Sequence, residues 1–228
     1  MRFAHLAILP VAGFAVAGCG ENAPAGPPAL WQTKGFETPE SALPDTAARV
    51  IYVSNIDGSP TDRDGNGYIS KVGFDGNVID LKWATGMDAP KGLALAQGRL
   101  YASDIDKLVE IDPATGKITS KYEAPGAGFL NDVAADAAGN VYVSDMATST
   151  ICRLSGGKFE SWLKSDALNH PNGLLVEGDK LVVASWGPMT DTTSIEGRLL
   201  EVSLADKSVK PIGSGKPEIG RASCRERV

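Results

Sequence analysis

A repeated strand-like segment is the feature of this sequence that most constrains its fold. The segments read RVIYVSNI, GRLYASDI, GNVYVSDM and DKLVVASW, and each is a short run of β-branched and aromatic residues leading to a serine. The serines that we take to be in phase lie 49, 41 and 41 residues apart and are Ser54, Ser103, Ser144 and Ser185. A period of about 40 residues, built from short strands with Gly- and Asp-rich turns, predicts the blades of a β-propeller.

Each complete unit offers four strand candidates, as expected for one blade. In the third unit they cover residues 132–135, 141–145, 150–154 and 158–163, and the turns between them are rich in Gly, Asp and Asn. The strands are apolar on both faces, because a blade packs between two neighbouring blades. No segment after the N-terminal one has the pattern of an amphipathic helix, which argues against a parallel α/β fold. The sequence therefore predicts an all-β propeller.

The N-terminus has the pattern of an export signal. Arg2 is followed by an apolar run from Phe3 to Val16 that is too short to span a membrane. The ending Val-Ala-Gly-Cys resembles a bacterial lipobox, which implies cleavage before Cys19 and acylation of its thiol; an ordinary signal peptide with a chance cysteine is the alternative. We predict a signal peptide at 1–18 and a flexible tether at 19–35. The protein would then lie in the bacterial cell envelope, on the outer membrane or facing the periplasm, attached through the lipid alone.

Composition narrows the class of partner. The net charge is −6 and the body of the chain has no basic cluster, which argues against nucleic acid as a partner. With 43% hydrophobic residues, the chain is able to bury a sizeable globular core. Cys152 stands alone in a strand-like run, so no structural disulfide is assigned.

The stretch TDRDGNGYIS, at residues 61–70, resembles the first half of an EF-hand calcium loop. Asp62, Asp64 and Asn66 match positions 1, 3 and 5 of that loop, but position 12 falls on Gly73 and no helix flanks the stretch. The first repeat spacing is longer than the others, 49 residues against 41, which predicts an insertion between the second and third strands of a blade. A free-standing calcium loop and a turn whose Asp and Asn side chains bond their own backbone both remain open.

Candidate functional residues lie where the repeat is broken, because a reaction needs its groups once whereas the architecture needs them in each blade. The position just before each first strand carries a different polar residue in each unit, namely Glu40, Lys91, Asn131 and Asn172. The first strand of a blade runs beside the central axis, so we expect these residues to meet at one mouth of the channel. A carboxylate with amide oxygens suits a hard cation. The alternative is a set of turn residues that cap the strand entries.

The segments LNDVAADAAGNVYVSD and HPNGLLVEGDKLVVASW resemble the SMP-30/gluconolactonase/LRE-like family of six-bladed propellers, over most of residues 40–214. The resemblance implies that about four of six blades are present, as the open arc of a truncated chain. It also implies one divalent cation, calcium before magnesium, manganese or zinc, bound by Glu40, Asn172 and a third ligand in a blade that this chain does not reach. Asn131 would contact the substrate, with Asp132 beside it as a candidate catalytic carboxylate.

Other residues complete or disturb this site. Phe129 stands two residues before Asn131, where lactonase members of the resembled family have a substrate-binding arginine, and Lys91 puts a cation near the proposed metal. Both are nevertheless candidate substrate-binding residues. Trp186 belongs to a loop that we expect at the same mouth as the acidic loop, as a further substrate contact. His170 is a candidate proton shuttle or, alternatively, a turn histidine.

Two functions from different classes are compatible with these residues. The first is a metal-dependent lactone or ester hydrolase, in which the cation polarises the carbonyl and activates water. The second is a non-catalytic, lipid-anchored propeller that binds a small ligand or a protein at the same mouth. Residues 36–217 form the predicted propeller domain. Residues 218–228, EIGRASCRERV, match a translated sequencing-adapter read, so we expect them not to be native.

Overall fold

The computed structural model describes residues 29–124, 126–187 and 197–213. The predicted signal peptide, the acylation site at Cys19 and the C-terminal segment 218–228 lie outside the described residues, so those expectations stay predictions. Contacts divide the chain into residues 1–32 and 33–228, and the sheets all belong to the second unit. The described residues contain no helix long and apolar enough to cross a membrane.

Sixteen β strands form nearly all of the regular structure in the described residues. In chain order they are β1 Pro39–Asp45, β2 Val50–Asn55, β3 Gly67–Gly73, β4 Val78–Met87, β5 Pro90–Ala96, β6 Arg99–Asp104, β7 Lys107–Ile111, β8 Ile118–Glu123, β9 Leu130–Ala135, β10 Val141–Asp145, β11 Thr150–Ser155, β12 Lys158–Lys164, β13 Pro171–Glu177, β14 Lys180–Ser185, β15 Leu199–Ser203 and β16 Val209–Pro211. One 3₁₀ helix, Asp166–Leu168, joins β12 to β13.

The strands form four antiparallel sheets, each made of four consecutive strands. The sheets are β1–β4, β5–β8, β9–β12 and β13–β16, which we call blades 1 to 4. The first strands contact one another in the order β1, β5, β9 and β13, so they lie side by side at the inner edge of the blades. The predicted all-β propeller with four blades in this chain is confirmed. The four strands predicted in the third unit correspond to β9–β12.

Apolar side chains fill the space between neighbouring blades. Three buried clusters span blades 1 and 2, blades 2 and 3, and blades 3 and 4 in turn. Aromatic pairs hold outer strands against second strands, with 5.0 Å between the ring centroids of Tyr52 and Trp83 and 5.2 Å between those of Tyr142 and Trp162. Because both faces of a blade are covered, β10 is buried along its whole length. The strands that are apolar on both faces thus follow from the stacking of blades.

Cys152 is a core residue rather than a reactive group. It lies on β11, is 5% exposed and packs in the cluster between blades 2 and 3. Burial raises the pKa of its thiol to about 12, and a thiol that stays protonated is a poor nucleophile. It forms no disulfide within the described residues.

Candidate functional site

A β-bulge at the same place in each first strand positions the candidate residues. In blade 1, Pro39 pairs with Asn55 and Ala42 pairs with Val53, so two residues of β1 oppose one residue of β2. A shift of one residue occurs at the corresponding place in β5, β9 and β13. Bulges re-aim side chains and are frequent beside functional sites. The residues that enter the bulges are the four candidates, Glu40, Lys91, Asn131 and Asn172. Each is the second residue of its first strand, so the prediction that they lie just before these strands was off by the length of the bulge.

Serines of the second strands stabilise the bulges and link neighbouring blades. The Ser144 hydroxyl accepts the N–H of Asp132 in its own blade at 2.9 Å and donates to the carbonyl of Asn172 in the next blade at 2.6 Å. Ser54 and Ser103 make the corresponding bonds from blade 1 to blade 2 and from blade 2 to blade 3. Each serine hydroxyl bonds backbone groups of the bulges rather than their side chains, so any residue type can occupy the bulge without losing this bridge.

The fourth serine is out of phase by one residue. Strand pairing places Ser185 at the register position that Asp145 has in blade 3, so Ala184 takes the position of the bridging serine. The prediction that Ser185 is in phase with the other serines is therefore wrong. Residue type suggested the alignment, but the pairing of β13 with β14 fixes the register. Ser185 instead bonds the backbone N–H and carbonyl of Arg198 within blade 4.

The carboxylates that follow the serines anchor the segment entering each first strand. Asp145 accepts the N–H groups of Gly128 and Phe129, both at 3.0 Å, and the hydroxyl of Thr148 at 2.6 Å. Asp104 holds the corresponding segment of blade 2 in the same way. Because both aspartates make the same contacts in their own blades, they belong to the architecture of the repeat.

Lys91 is a fully buried cation in the bulge of β5. It is 1% exposed, its ammonium donates to the carbonyl of Ala89 at 2.9 Å, and its Nζ lies 4.7 Å from the ring centroid of Phe129. Burial lowers the pKa of Lys91 to about 8, and the carboxylates of Asp104 and Glu40 partly offset this shift. The two departures from the resembled family, Lys91 and Phe129, therefore form one cation–π pair between blades 2 and 3.

Sequence reasoning named both members of this pair but missed their contact. It treated Lys91 as a charge that disturbs a metal and Phe129 as a lost arginine. The signal was available in the repeat, because a bulge residue of one blade lies beside the entry segment of the next. A cation and an aromatic ring at those two places are able to meet across the blade boundary.

Two carboxamides complete the set of bulge residues. Asn131 and Asn172 are each 7% exposed. The Asn131 carboxamide makes no hydrogen bond to any residue that the structure describes. That of Asn172 donates to the sulfur of Met146 at 3.6 Å, which is a weak bond. Carboxamides that are this buried and lack a strong partner have donors and acceptors available for a ligand.

The bulge residues fit a divalent cation poorly. Glu40 is half-buried and is the only carboxylate among the four, and it attracts the buried ammonium of Lys91. Over residues 29–213, leaving out the undescribed positions, no three His, Cys, Asp or Glu side chains form a group fit to hold a metal ion. A second cation beside a buried ammonium is repelled strongly where the dielectric constant is low. Metal binding by Glu40 and Asn172 stays a prediction that the described residues do not favour.

The two candidate catalytic residues, Asp132 and His170, differ in the hydrogen bonds that their side chains make within the protein. The Asp132 carboxylate accepts the backbone N–H groups of Val133 at 2.8 Å and Leu174 at 2.7 Å, and the second bond links β9 to β13. His170 is half-buried, and its Nδ1 lies 2.9 Å from the carbonyl of Met146. Because a carbonyl only accepts, Nδ1 carries the hydrogen and Nε2 is the basic nitrogen of the neutral ring. A catalytic role for either residue stays a prediction.

Trp186 marks a difference between blade 4 and the other blades. The residues at its register position in blades 1 to 3 are buried and are Ile56, Ile105 and Met146. Trp186 is 38% exposed, and its backbone N–H bonds the carbonyl of His170 at 2.8 Å. The loop after it, residues 188–196, lies outside the described residues. Its role as a substrate contact stays a prediction.

The acidic loop lies between β2 and β3, as predicted, and its side chains bond within the protein. Asp64 accepts the backbone N–H and the side-chain amide of Asn66 at 3.0 and 2.9 Å. Arg63 makes two hydrogen bonds to Asp106 of blade 2, at 3.0 and 2.9 Å. These bonds agree with the turn interpretation. Calcium binding by Asp62, Asp64 and Asn66 stays a prediction.

The fold resembles solved β-propeller structures. A gluconolactonase from Xanthomonas campestris gives a TM-score of 0.58 at 17% identity, with 80% of this chain and 63% of that chain covered. A catalytically inactive virginiamycin B lyase from Staphylococcus aureus, solved with quinupristin, gives 0.54 at 14% identity, over 82% and 72%. A nidogen/laminin complex gives 0.53 at 18% identity, over 78% and 63%.

These likenesses establish the fold alone, because propellers of this kind carry unrelated functions. No family model and no curated protein matches the sequence. The chain spans 63% of the length of the gluconolactonase chain and 63% of the nidogen/laminin chain. The neighbours are consistent with a gluconolactonase-like propeller at low identity, and membership of the resembled family stays a prediction.

Proposed function

We propose that the mouth of the channel binds a small, oxygen-rich molecule. The observation that supports this proposal is the contrast within the bulges. The serine bridges repeat from blade to blade, whereas the bulge residues are Glu40, Lys91, Asn131 and Asn172. Architecture alone needs no such variety. A carboxylate, an ammonium and two carboxamides at one level of neighbouring strands are able to recognise one polar ligand.

The chemistry of these groups favours a ligand with several oxygen atoms. Carboxamides both donate and accept, and Asn131 lacks a partner in the described part of the chain. Lactones, sugar acids and esters carry the hydroxyl and carbonyl oxygens that would use them. A fold neighbour described as a gluconolactonase supports this ligand class by analogy of fold only.

Hydrolysis of a lactone or ester is the second candidate function, and His170 favours it. With Nδ1 held by the carbonyl of Met146, Nε2 is able to take a proton from a water molecule that attacks the carbonyl carbon. Glu40 is an alternative base on blade 1. Asp132 is less suited, because its carboxylate accepts two backbone N–H groups. A metal-dependent form of the reaction is included in the test below, although the mouth fits a divalent cation poorly.

Binding is tested by calorimetric titration of the full chain with aldonolactones, aldonic acids and simple esters. Each titration is done with and without Ca²⁺, Mg²⁺, Mn²⁺ and Zn²⁺. We expect Asn131→Ala to weaken binding by about tenfold, the usual cost of one lost hydrogen bond from a buried group. The matched variant Asn66→Ala, on the acidic loop, should bind as the wild type does. Equal binding by wild type and Asn131→Ala would reject the mouth as the site.

Turnover is measured separately, as the release of acid at constant pH. The hydrolase proposal expects His170→Gln to lower kcat while KM changes little, because the general base acts on the attacking water. A wild-type protein that binds a ligand without hydrolysing any ester or lactone would instead be a non-catalytic binding propeller. The nidogen/laminin neighbour, a protein complex by its description, supports that alternative by fold analogy.

We also propose that a lipid on Cys19 holds the chain on the extracytoplasmic side of the bacterial envelope. The support is the sequence pattern from Val16 to Cys19 and the tether that follows it. Mass spectrometry of the mature N-terminus tests this proposal. An unmodified cysteine, or cleavage at another bond, would reject it.

A further inference from the structure

A buried ammonium lies at the level where the sequence analysis expected a metal ion. Lys91 enters the bulge of β5 and donates from Nζ to the carbonyl of Ala89 at 2.9 Å. Its Nζ also lies 4.7 Å from the ring centroid of Phe129 on the next blade. A carbonyl oxygen and an aromatic face are both groups that stabilise a cation away from water.

Two carboxylates attract this ammonium from different elements. They belong to Glu40 on β1 and Asp104 on β6. The oxygens of Asp104 accept hydrogen bonds from the backbone N–H groups of Asp88 and Ala89. Asp104 attracts the ammonium more strongly than Glu40 does, and Glu40 is the carboxylate that itself lies in a bulge, that of the neighbouring first strand.

We propose that the Lys91 ammonium is the resident cation of the mouth and takes the place of a divalent ion beside Glu40. The ammonium already bonds a buried carbonyl at this level, and the Glu40 carboxylate attracts it. At an effective dielectric constant of about 20, repulsion between an ammonium and a divalent ion a few Å away weakens binding by more than about a hundredfold. The wild-type mouth therefore excludes divalent cations, and ligand binding there is independent of added metal.

The same bulges contain the groups that would bind an ion once the ammonium is removed. In Lys91→Gln, Glu40 loses its positive neighbour, and the shorter side chain adds a carboxamide oxygen. Asn131 and Asn172 provide further carboxamide oxygens, which are good ligands for hard cations. The substitution should therefore create a divalent cation site where the wild type has none.

The experiment titrates Mn²⁺ alone into the full chain and counts the bound ion by electron paramagnetic resonance. We expect Lys91→Gln to gain at least about a hundredfold in Mn²⁺ affinity, the inverse of the repulsion that it removes. The gain should disappear when Glu40→Gln is added. Lys91→Arg, which keeps the charge, should show no gain. The matched control Lys121→Gln should show none either, because Lys121 also donates to a carbonyl, at 2.8 Å, but is exposed.

A wild-type Mn²⁺ site that Glu40→Gln abolishes would overturn the proposal, and so would a folded Lys91→Gln protein without any gain. Should Lys91→Gln fail to fold, the wild type and Glu40→Gln decide by themselves. Equal Mn²⁺ uptake supports the resident ammonium, and uptake that depends on Glu40 rejects it. Ions on the acidic loop are recognised because Asp62→Ala removes them and Glu40→Gln does not. No organic ligand is used, so the outcome is independent of the proposed ligand binding.

Discussion

Two sets of residues at the same bulges differ in whether they repeat from blade to blade. The bridging position is serine in blades 1 to 3, whereas the residues whose carbonyls those serines bond are Lys91, Asn131 and Asn172. A serine hydroxyl bonds a backbone carbonyl that any residue provides, so the fold constrains the serine and leaves the next side chain variable. In this propeller, repetition therefore marks the architecture, and the break in repetition marks the place where a function can be added.

Removing one of the aspartates that repeat from blade to blade should have the largest effect on stability. Asp145→Ala leaves the N–H groups of Gly128 and Phe129 and the hydroxyl of Thr148 without their acceptor. We expect the free energy of unfolding to fall by about 4 kcal/mol, because three part-buried bonds to one charged acceptor, itself 1% exposed, are lost together. Urea unfolding followed by tryptophan fluorescence measures the change. The exposed Asp166→Ala is the control, and a loss in Asp145→Ala as small as in that control would contradict the anchoring role.

Lys91, one of the variable bulge residues, should make stability depend on pH, because its ammonium is buried. The pKa of Lys91 is lowered from 10.5 to about 8 in the folded state, so the unfolded chain binds more protons between these values. The contribution of Lys91 to stability should therefore rise as the pH increases through that interval, by up to about 3 kcal/mol, and it is measured as the difference between wild type and Lys91→Met. Below about pH 8 both states are protonated and this contribution is flat.

The control for this prediction is Lys91→Met, which should lack the rise. Cys152 and Tyr101 act in the opposite direction in the upper part of the interval, because burial raises the pKa of each to about 12 in the folded state. The difference between the two proteins cancels both contributions, since both retain the cysteine and the tyrosine. Parallel pH profiles of wild type and Lys91→Met, measured by urea unfolding, would show that the ammonium is not buried in solution.

The comparison also explains how far the sequence could be interpreted. The four blades and the four variable residues at the start of the first strands were predictable because the repeat period and the turn residues are local signals, whereas the bulges that hold these residues were not predicted. The phase of Ser185 was not predictable, because the pairing of β13 with β14 determines it. The sequence comparison aligned Ser185 with the other serines only because it was the nearest serine. The contact of Lys91 with Phe129 was missed: the repeat places both residues at the same blade boundary, but whether their side chains meet depends on how the blades stack. Charge balance within the mouth is a property of that stacking.

A smaller effect is expected when one bridge between blades is removed. Ser144→Ala deprives the N–H of Asp132 and the carbonyl of Asn172 of a buried partner. We expect unfolding to become easier by about 2 kcal/mol. Ser185→Ala is the matched variant, because that serine bonds within one blade, and it should cost about half as much. Equal losses in the two proteins would mean that the bridge adds nothing beyond an ordinary buried hydrogen bond.

The smallest effect is expected in the acidic loop, which also contains aspartates that bond backbone N–H groups. Asp62→Ala combined with Asp64→Ala should change the free energy of unfolding by less than about 1 kcal/mol. Asp64 bonds exposed groups of Asn66, to which water can bond instead, whereas Asp145 is 1% exposed and its bonds are part-buried. A hydrogen bond from a backbone N–H to an aspartate thus contributes more to the free energy of unfolding where water cannot replace it. Calcium titration of both proteins completes the test: we expect equally weak binding, and a large loss of calcium affinity in the double variant would identify the loop as a calcium site.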